Sequence, residues 1–201
     1  MYRLVTVFAL SMLAACATDG GPRLERFNTI EIGGLSDFTA YDKVHLVPSV
    51  ASENVMAQTE IRFVNSLRGA NQDDQPLDEA DIRRKLADYD DALKGVLGDK
   101  VTLVDQPGPG VLTIRPTVTA LEANRPDLTR AGRAYPGFTR VLAVGEAASS
   151  FAFSVDGEEI GTLADASNDR VLNDRGFLPL GVWETADRYF NQSASNLGSL
   201  F

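Results

Sequence analysis

The sequence holds one cysteine and one histidine in 201 residues. A single histidine leaves a Ser-His-Asp relay only one candidate base, His45. Ser149 and Ser150 lie in Glu146-Ala147-Ala148-Ser149-Ser150, which lacks the Gly-x-Ser-x-Gly elbow that exposes a nucleophile. His45, inside the apolar stretch Lys43–Val50, therefore reads as a structural side chain rather than a general base. Zinc needs three or four nitrogen or sulfur ligands at short spacing, more than one His and one Cys supply. Asp165, Asn168, Asp169, Asn173 and Asp174 are an oxygen-rich run, but Arg170 stands where a calcium loop places its turn glycine. The adjacent acid pairs Asp73-Asp74, Asp90-Asp91 and Glu158-Glu159 read as solvated faces, because neighbours in a helix or strand do not converge. Pro107-Gly108-Pro109-Gly110 is followed by no Lys-Ser/Thr pair and no helix, so it is no phosphate loop. These scarcities argue against an enzyme, and against a metal or other cofactor.

Positive charge is also in short supply. Lys and Arg number 19 against 28 acids, for a net charge of −9. Such a chain repels nucleic-acid phosphates and anionic lipid headgroups, so neither is an expected partner.

What is present begins at the N-terminus. Met1-Tyr2-Arg3 gives a short positive start, and Leu4–Met12 is an apolar run too short to span a bilayer. Leu13-Ala14-Ala15-Cys16 then resembles the bacterial lipobox, in which small residues precede a lipid-modified cysteine. The bland alternative is a plain signal peptide with Cys16 as a bystander, but the lone cysteine sits where a leader ends. The expected organisation is a lipoprotein signal peptide over 1–15, a lipidated tether over 16–27 and one globular domain over 28–201. Each buried methylene contributes about 0.8 kcal/mol, so the two or three acyl chains that the resemblance implies at Cys16 anchor firmly. Ala17 after the cysteine resembles outer-membrane sorting, so the expected place is the periplasmic face of the outer membrane, with inner-membrane retention as the alternative. Gly20, Gly21 and Pro22 keep the tether irregular, and its reach is at most about 35–40 Å.

Periodicity predicts the domain's elements. Val44 and Leu46 alternate with His45 and Val47, the pattern of a strand. Ile82, Leu86, Tyr89, Leu93 and Val96 form one stripe of a helix over Leu77–Leu97, with Asp78 as N-cap. Val101–Val104 and Val111–Leu121 read as strands, and Pro116 inside the second suggests an edge or a bulge. Val144–Val155 and Glu158–Ala164 flank Asp156-Gly157, a hairpin signal. Trp183, Ala186, Phe190, Ala194, Leu197 and Phe201 have helical spacing over Gly181–Leu200. The expectation is an α/β fold bordering on α+β: a single mixed sheet with a β-α-β start, an antiparallel meander and two long helices packed on it.

Tyr41-Asp42-Lys43-Val44, the block Leu103-Val104-Asp105-Gln106-Pro107-Gly108-Pro109-Gly110-Val111-Leu112-Thr113-Ile114-Arg115, and Val144-Gly145-Glu146-Ala147 resemble the bacterial lipoprotein family known as domain of unknown function 3313. The resemblance covers roughly residues 25 to 200. It implies a periplasmic lipoprotein without assigned activity, and brings no catalytic residues with it.

One segment departs from the acidic background. Arg125, Arg130, Arg133 and Arg140 cluster with Tyr135 and Phe138, and Asp127 is the only acid among them. Arginine with aromatics suits recognition of an anionic partner, whereas the bland reading is an exposed loop. The expected function is a non-enzymatic binding or accessory component of the cell envelope, with these arginines toward an envelope protein, lipopolysaccharide or peptidoglycan. The rival readings are a peptidoglycan-directed hydrolase and a lipid or small-ligand carrier. For the anchor, labelled palmitate should enter the wild-type chain and be absent from Cys16→Ser; equal labelling of the two overturns acylation at Cys16.

Overall fold

The computed structural model describes residues 26–32, 37–58, 78–126, 141–143, 145–166 and 182–201. The strands are β1 (Thr29–Ile32), β2 (Lys43–Leu46), β3 (Val50–Ala51), β4 (Thr102–Leu103), β5 (Leu112–Leu121), β6 (Arg125–Pro126), β7 (Val141–Ala143), β8 (Ala147–Val155) and β9 (Glu158–Ala166). Two long helices accompany them, α1 (Glu79–Gly98) and α2 (Glu184–Gly198). Seven strands form one sheet in the order β1-β9-β8-β5-β2-β4, with β3 also paired to β5. β6 and β7 make a separate two-stranded ribbon. β2 runs parallel to β4 and β5, whereas β5, β8, β9 and β1 are antiparallel neighbours. This is the mixed α/β sheet expected, with α1 lying between β3 and β4 and the meander supplied by β5, β8 and β9.

Local chemistry accounts for the element ends. Asp78 caps α1 by accepting a 2.7 Å bond from the Asp81 amide, and Glu79 and Asp81 place negative charge on the first turn. Asp156 and Gly157 both adopt positive φ, 52° and 83°, the conformation that a two-residue turn needs to match the twist of β8 and β9.

Pro116 is the position where the strand pattern most needs explaining. It lies inside β5, a central strand, and not at an edge. Leu46 pairs with Ile114 and Ala51 with Val118, so the β2–β3 side has one residue more than β5 across this interval. The missing proline donor therefore falls opposite a bulge in the partner, and the ladder loses no bond that a proline could have made. The bulge frees the Ser49 amide, and Asp90 of α1 takes it up: its Oδ1 accepts from Ser49 N at 2.8 Å and from Ser49 Oγ at 2.5 Å. One carboxylate so fastens the middle of α1 to the interrupted strand.

The helices cover one face of the sheet. Val44, Leu112, Ile114, Val118, Phe151, Phe153 and Leu163 point into the core, together with Ile82, Tyr89, Leu93 and Leu97 of α1 and Phe190, Ala194 and Leu197 of α2. Phe38, fully buried, meets Phe153 edge-on at 5.2 Å and Phe201 at 5.7 Å. The α1 stripe differs from its sequence pattern at four places. Leu86 and Val96 are half-buried, and Lys85 and Leu97 occupy buried positions. The strand expected over Val144–Val155 begins at Ala147, and the residues Val141–Ala143 before it belong to the ribbon. The ambiguous stretch after Ser52 is helical over 53–58, and Ile61, Phe63 and Val64 lie outside the described residues.

These burials separate two substitutions on one helix. Ile82→Asp should cost several kcal/mol, because it buries an unpaired charge, and Leu86→Asp about 1 kcal/mol or less. Thermal or urea melts measure both; equal losses would contradict the packing of α1.

Candidate functional site

Where α1, α2 and the sheet meet, the core turns polar. Ser149 of β8 points to the helices, its Oγ lying 2.9 Å from Tyr89 Oη, 2.8 Å from Tyr189 Oη and 3.3 Å from Ser193 Oγ. Tyr89 Oη also lies 2.8 Å from Ser193 Oγ, and Tyr189 Oη donates to the Asp165 carbonyl at 2.9 Å. The carbonyl can only accept, which fixes the order of protons. Tyr189 gives its proton to Asp165, so Ser149 donates to Tyr189, Tyr89 to Ser149 and Ser193 to Tyr89. The Asp165 carboxylate accepts from Asn196 Nδ2 at 3.2 Å and from the Ala166 amide at 2.9 Å. Burial pushes the Tyr89 phenol well above its ordinary value and the Tyr189 phenol up to about 12, so both stay protonated. Burial also raises the Asp165 carboxyl, with the bonds from Asn196 and Ala166 opposing it.

His45 lies elsewhere. It pairs with Thr113, whose side chain points away from the face that carries Ser149, and its Nδ1 lies 3.1 Å from the Val104 carbonyl. Ser150 shares the face of His45, yet it pairs with Thr117, roughly 13 Å along the strand from Thr113. The acid pairs are separate too: Asp90 binds Ser49, Glu158 and Glu159 are exposed on β9, and Asp73-Asp74 lie outside the described residues. Of the oxygen-rich run only Asp165 is described, and among the described residues no group of three His, Cys, Asp or Glu is placed to hold a metal ion.

Between the two helices runs a groove of about 230 Å³ lined by Lys85, Asp88, Ala92, Asp187, Phe190 and Asn191. Lys85 is buried, with its ammonium 2.7 Å from both Asp88 and Asp187 and 5.9 Å from the centre of the Trp183 ring. Burial alone would lower its pKa; the bonds it donates to Asp187 and Asp88 outweigh that and hold it above the ordinary lysine value. The lysine joins α1 to α2 as a permanent cation.

The arginine-bearing segment starts and ends at a third polar cluster. Asn124 is buried at 3% exposure, and its Oδ1 accepts from the Gly145 amide at 2.7 Å and from Thr185 Oγ1 at 2.7 Å. The Asn124 amide donates to the Val182 carbonyl at 2.8 Å, and the Glu122 amide to the Glu146 carbonyl at 2.6 Å. Gly145 has no room for a side chain: a Cβ there would sit 2.1 Å from the Glu122 carbonyl oxygen. Directly beyond this clasp, Arg125 pairs with Ala143 and Pro126 with Val141. Of the residues singled out by sequence, Arg125 therefore stands in β6, while Arg130, Arg133, Arg140 and Cys16 lie outside the described residues. Asn124 and Thr185 escaped the sequence reading, and Gly145 entered it only within the block Val144-Gly145-Glu146-Ala147, because their link spans up to 61 positions. The only local signal was the Gly145-Glu146 pair just before β8.

The match to a family model, "Protein of unknown function (DUF3313)", runs over residues 36–165. The chain belongs to that family, as the three sequence blocks implied. No curated protein matches it. Among solved structures it is similar to the PelC dodecamer from Paraburkholderia phytofirmans, at 12% identity and a TM-score of 0.39, over 84% of this chain and 95% of that one. It is also similar to a neuraminyllactose-binding hemagglutinin homolog from Helicobacter pylori, at 12% identity and a TM-score of 0.30, over 82% of each chain.

Asp165 provides a pH test. Its folded-state pKa lies above the unfolded value, so the native state holds this proton more tightly. Its ionised form costs stability at neutral pH, and that cost disappears as pH falls through the folded pKa. The melting temperature of wild type minus that of Asp165→Asn should therefore rise from about pH 7 to about pH 4. A difference that stays constant over this range contradicts the burial of an ionised Asp165.

Proposed function

We propose that this chain is a non-enzymatic binding or accessory component of the bacterial cell envelope, held on the periplasmic face of the outer membrane by acyl chains on Cys16. The contact surface is the segment that carries Arg125, Arg130, Arg133 and Arg140, and its partner is anionic: an acidic envelope protein, a lipopolysaccharide phosphate or a peptidoglycan carboxylate. The observation that carries this reading is the buried clasp of Asn124, Gly145 and Thr185, with the β6–β7 ribbon directly beyond it. Loops set on a packed scaffold carry binding more often than core elements do, and Arg125 opens the segment directly at such a base. The acidic body, at net −9, supports the same reading, since local positive charge on it orients encounter with an acidic partner. Tethering adds local concentration, which lets a weak binder meet neighbours on one membrane. The groove at Lys85 supports a structural role more than a ligand, because its cation is already shared by Asp88 and Asp187.

The test is a charge swap in the lipidated chain, Arg130→Glu with Arg133→Glu, followed by crosslinking in the native envelope. Crosslinks should fall while the melting temperature stays close to that of the wild type. An unchanged crosslink pattern with an intact fold overturns the assignment of this segment.

A further inference from the structure

We propose that the face of the sheet opposite the helices is where two copies of this chain pair, with Arg115 of each copy against Glu31 of the other. The inference goes beyond the binding role of the arginine-bearing segment and does not depend on it. Ile114, Phe153 and Leu163 point into the core, so the residues next to each of them along the strand point away from it. Register sets Arg115, Ala152, Thr162 and Glu31 side by side on that outer face, one each from β5, β8, β9 and β1. The neighbouring row is Thr117, Ser150, Ala164 and Thr29. Charge stands only at the two ends of the first row, about 14 Å apart across three strand spacings. Arg115 and Glu31 are both exposed, and among the described residues neither is ion-paired.

Charge selects both the occupant and the symmetry axis. Two identical sheets that pack face to face are related by a two-fold axis lying between them. An axis running across the strands would set Arg115 against Arg115 and Glu31 against Glu31, which an interface does not tolerate cheaply. An axis running along the strands, between β8 and β9, reverses each row instead. Arg115 of one copy then faces Glu31 of the other, and the contact occurs twice. In the same rows Ala152 faces Thr162, Ser150 faces Ala164 and Thr117 faces Thr29. Nearer the hairpin turn Ser154 faces Glu159, so no two like charges oppose each other in these rows. The small side chains between the charged ends let the sheets approach to about 10 Å, with strands aligned to within about 30°. The face spans four strands, and two copies cover about 1,000 Å² of it together, enough for a specific pairing. A different macromolecule would have to present both charges at this spacing, whereas a second copy does so by construction.

Sedimentation velocity of the full chain, in a mild detergent with micelles in excess, measures the pairing. The wild type should sediment as a dimer that dissociates on dilution and more readily at high salt. Arg115→Glu alone and Glu31→Arg alone should each raise the dimer dissociation constant about tenfold or more, since each creates two like-charge contacts per pair. The double variant, Arg115→Glu with Glu31→Arg, should recover wild-type association. An equimolar mixture of the two single variants should recover it as well, because both contacts of the mixed pair again join opposite charges. This rescue also separates lost pairing from lost folding, as a misfolded chain is not restored by a partner that carries the opposite swap. A wild type that stays monomeric at every concentration means that the face is covered by the chain itself or by another molecule, and it overturns the proposal. So does a dimer that ignores both single swaps, or a mixture that fails to associate.

Discussion

The hydroxyl chain from Ser193 through Tyr89, Ser149 and Tyr189 to the Asp165 carbonyl is the constraint on which the packing of both helices turns. Apolar burial alone would let α1 and α2 slide on the sheet at small cost, since greasy surfaces are non-directional. The chain removes that freedom. It takes one member from α1, two from α2, one from β8 and one from β9, and each proton has a single destination. Displacing any element leaves a buried hydroxyl without a partner, which costs about 1–3 kcal/mol. Around it the aromatic rings settle accordingly: Phe190 stacks on Tyr89 with centroids 4.4 Å apart, and Phe151 lies 6.5 Å from the same ring.

Two further polar fastenings act at a distance from this centre. Asp90 meets the amide that the bulge opposite Pro116 releases, and Lys85 draws Asp88 of its own helix and Asp187 of α2 to one point. Lys85 and Tyr89, four residues apart, share one side of α1, whereas Asp90 lies about 100° around the axis from Tyr89, so the contacts fix the helix in rotation as well as in position. Tyr89, Asp90 and Lys85 are each polar residues spending their hydrogen bonds inward or toward a neighbouring element, whereas the surface pairs Arg83–Glu79 and Arg188–Glu184 only decorate single helices.

Much of this architecture was legible from periodicity. The α1 and α2 stripes, the alternation in β8 and the Asp156-Gly157 turn are local signals, and local signals survive in a sequence read by itself. Lys85 was invisible because a hydrophobic stripe counts only apolar residues, and its burial depends on two acids, one of them 102 positions away. Tyr189, Ser193 and Asn196 were passed over for the same reason: a buried polar side chain is recognisable only beside its partner. Pro116 was read as a sign of an edge or a bulge, and the bulge proved to be in the strand next to it, which no inspection of β5 reveals. Of the candidate site, the arginines were plain in the sequence, whereas the clasp at their base was not, since Asn124, Gly145 and Thr185 meet only after the sheet and α2 are assembled.

The order of the strands bears on how the molecule acquires its structure. β1, at Thr29–Ile32, pairs with β9 at Gly161–Ala164, and Phe38 rests against Phe201. Residues that open the fold thus wait for residues that come more than a hundred positions later, and closing such loops is entropically slow. A fragment that stops short of α2 has Tyr89 and Ser149 but lacks Tyr189, Ser193 and the apolar cover of Phe190 and Leu197. Among the described residues the core is therefore incomplete until α2 is in place, and closing it should be the late, cooperative step of folding.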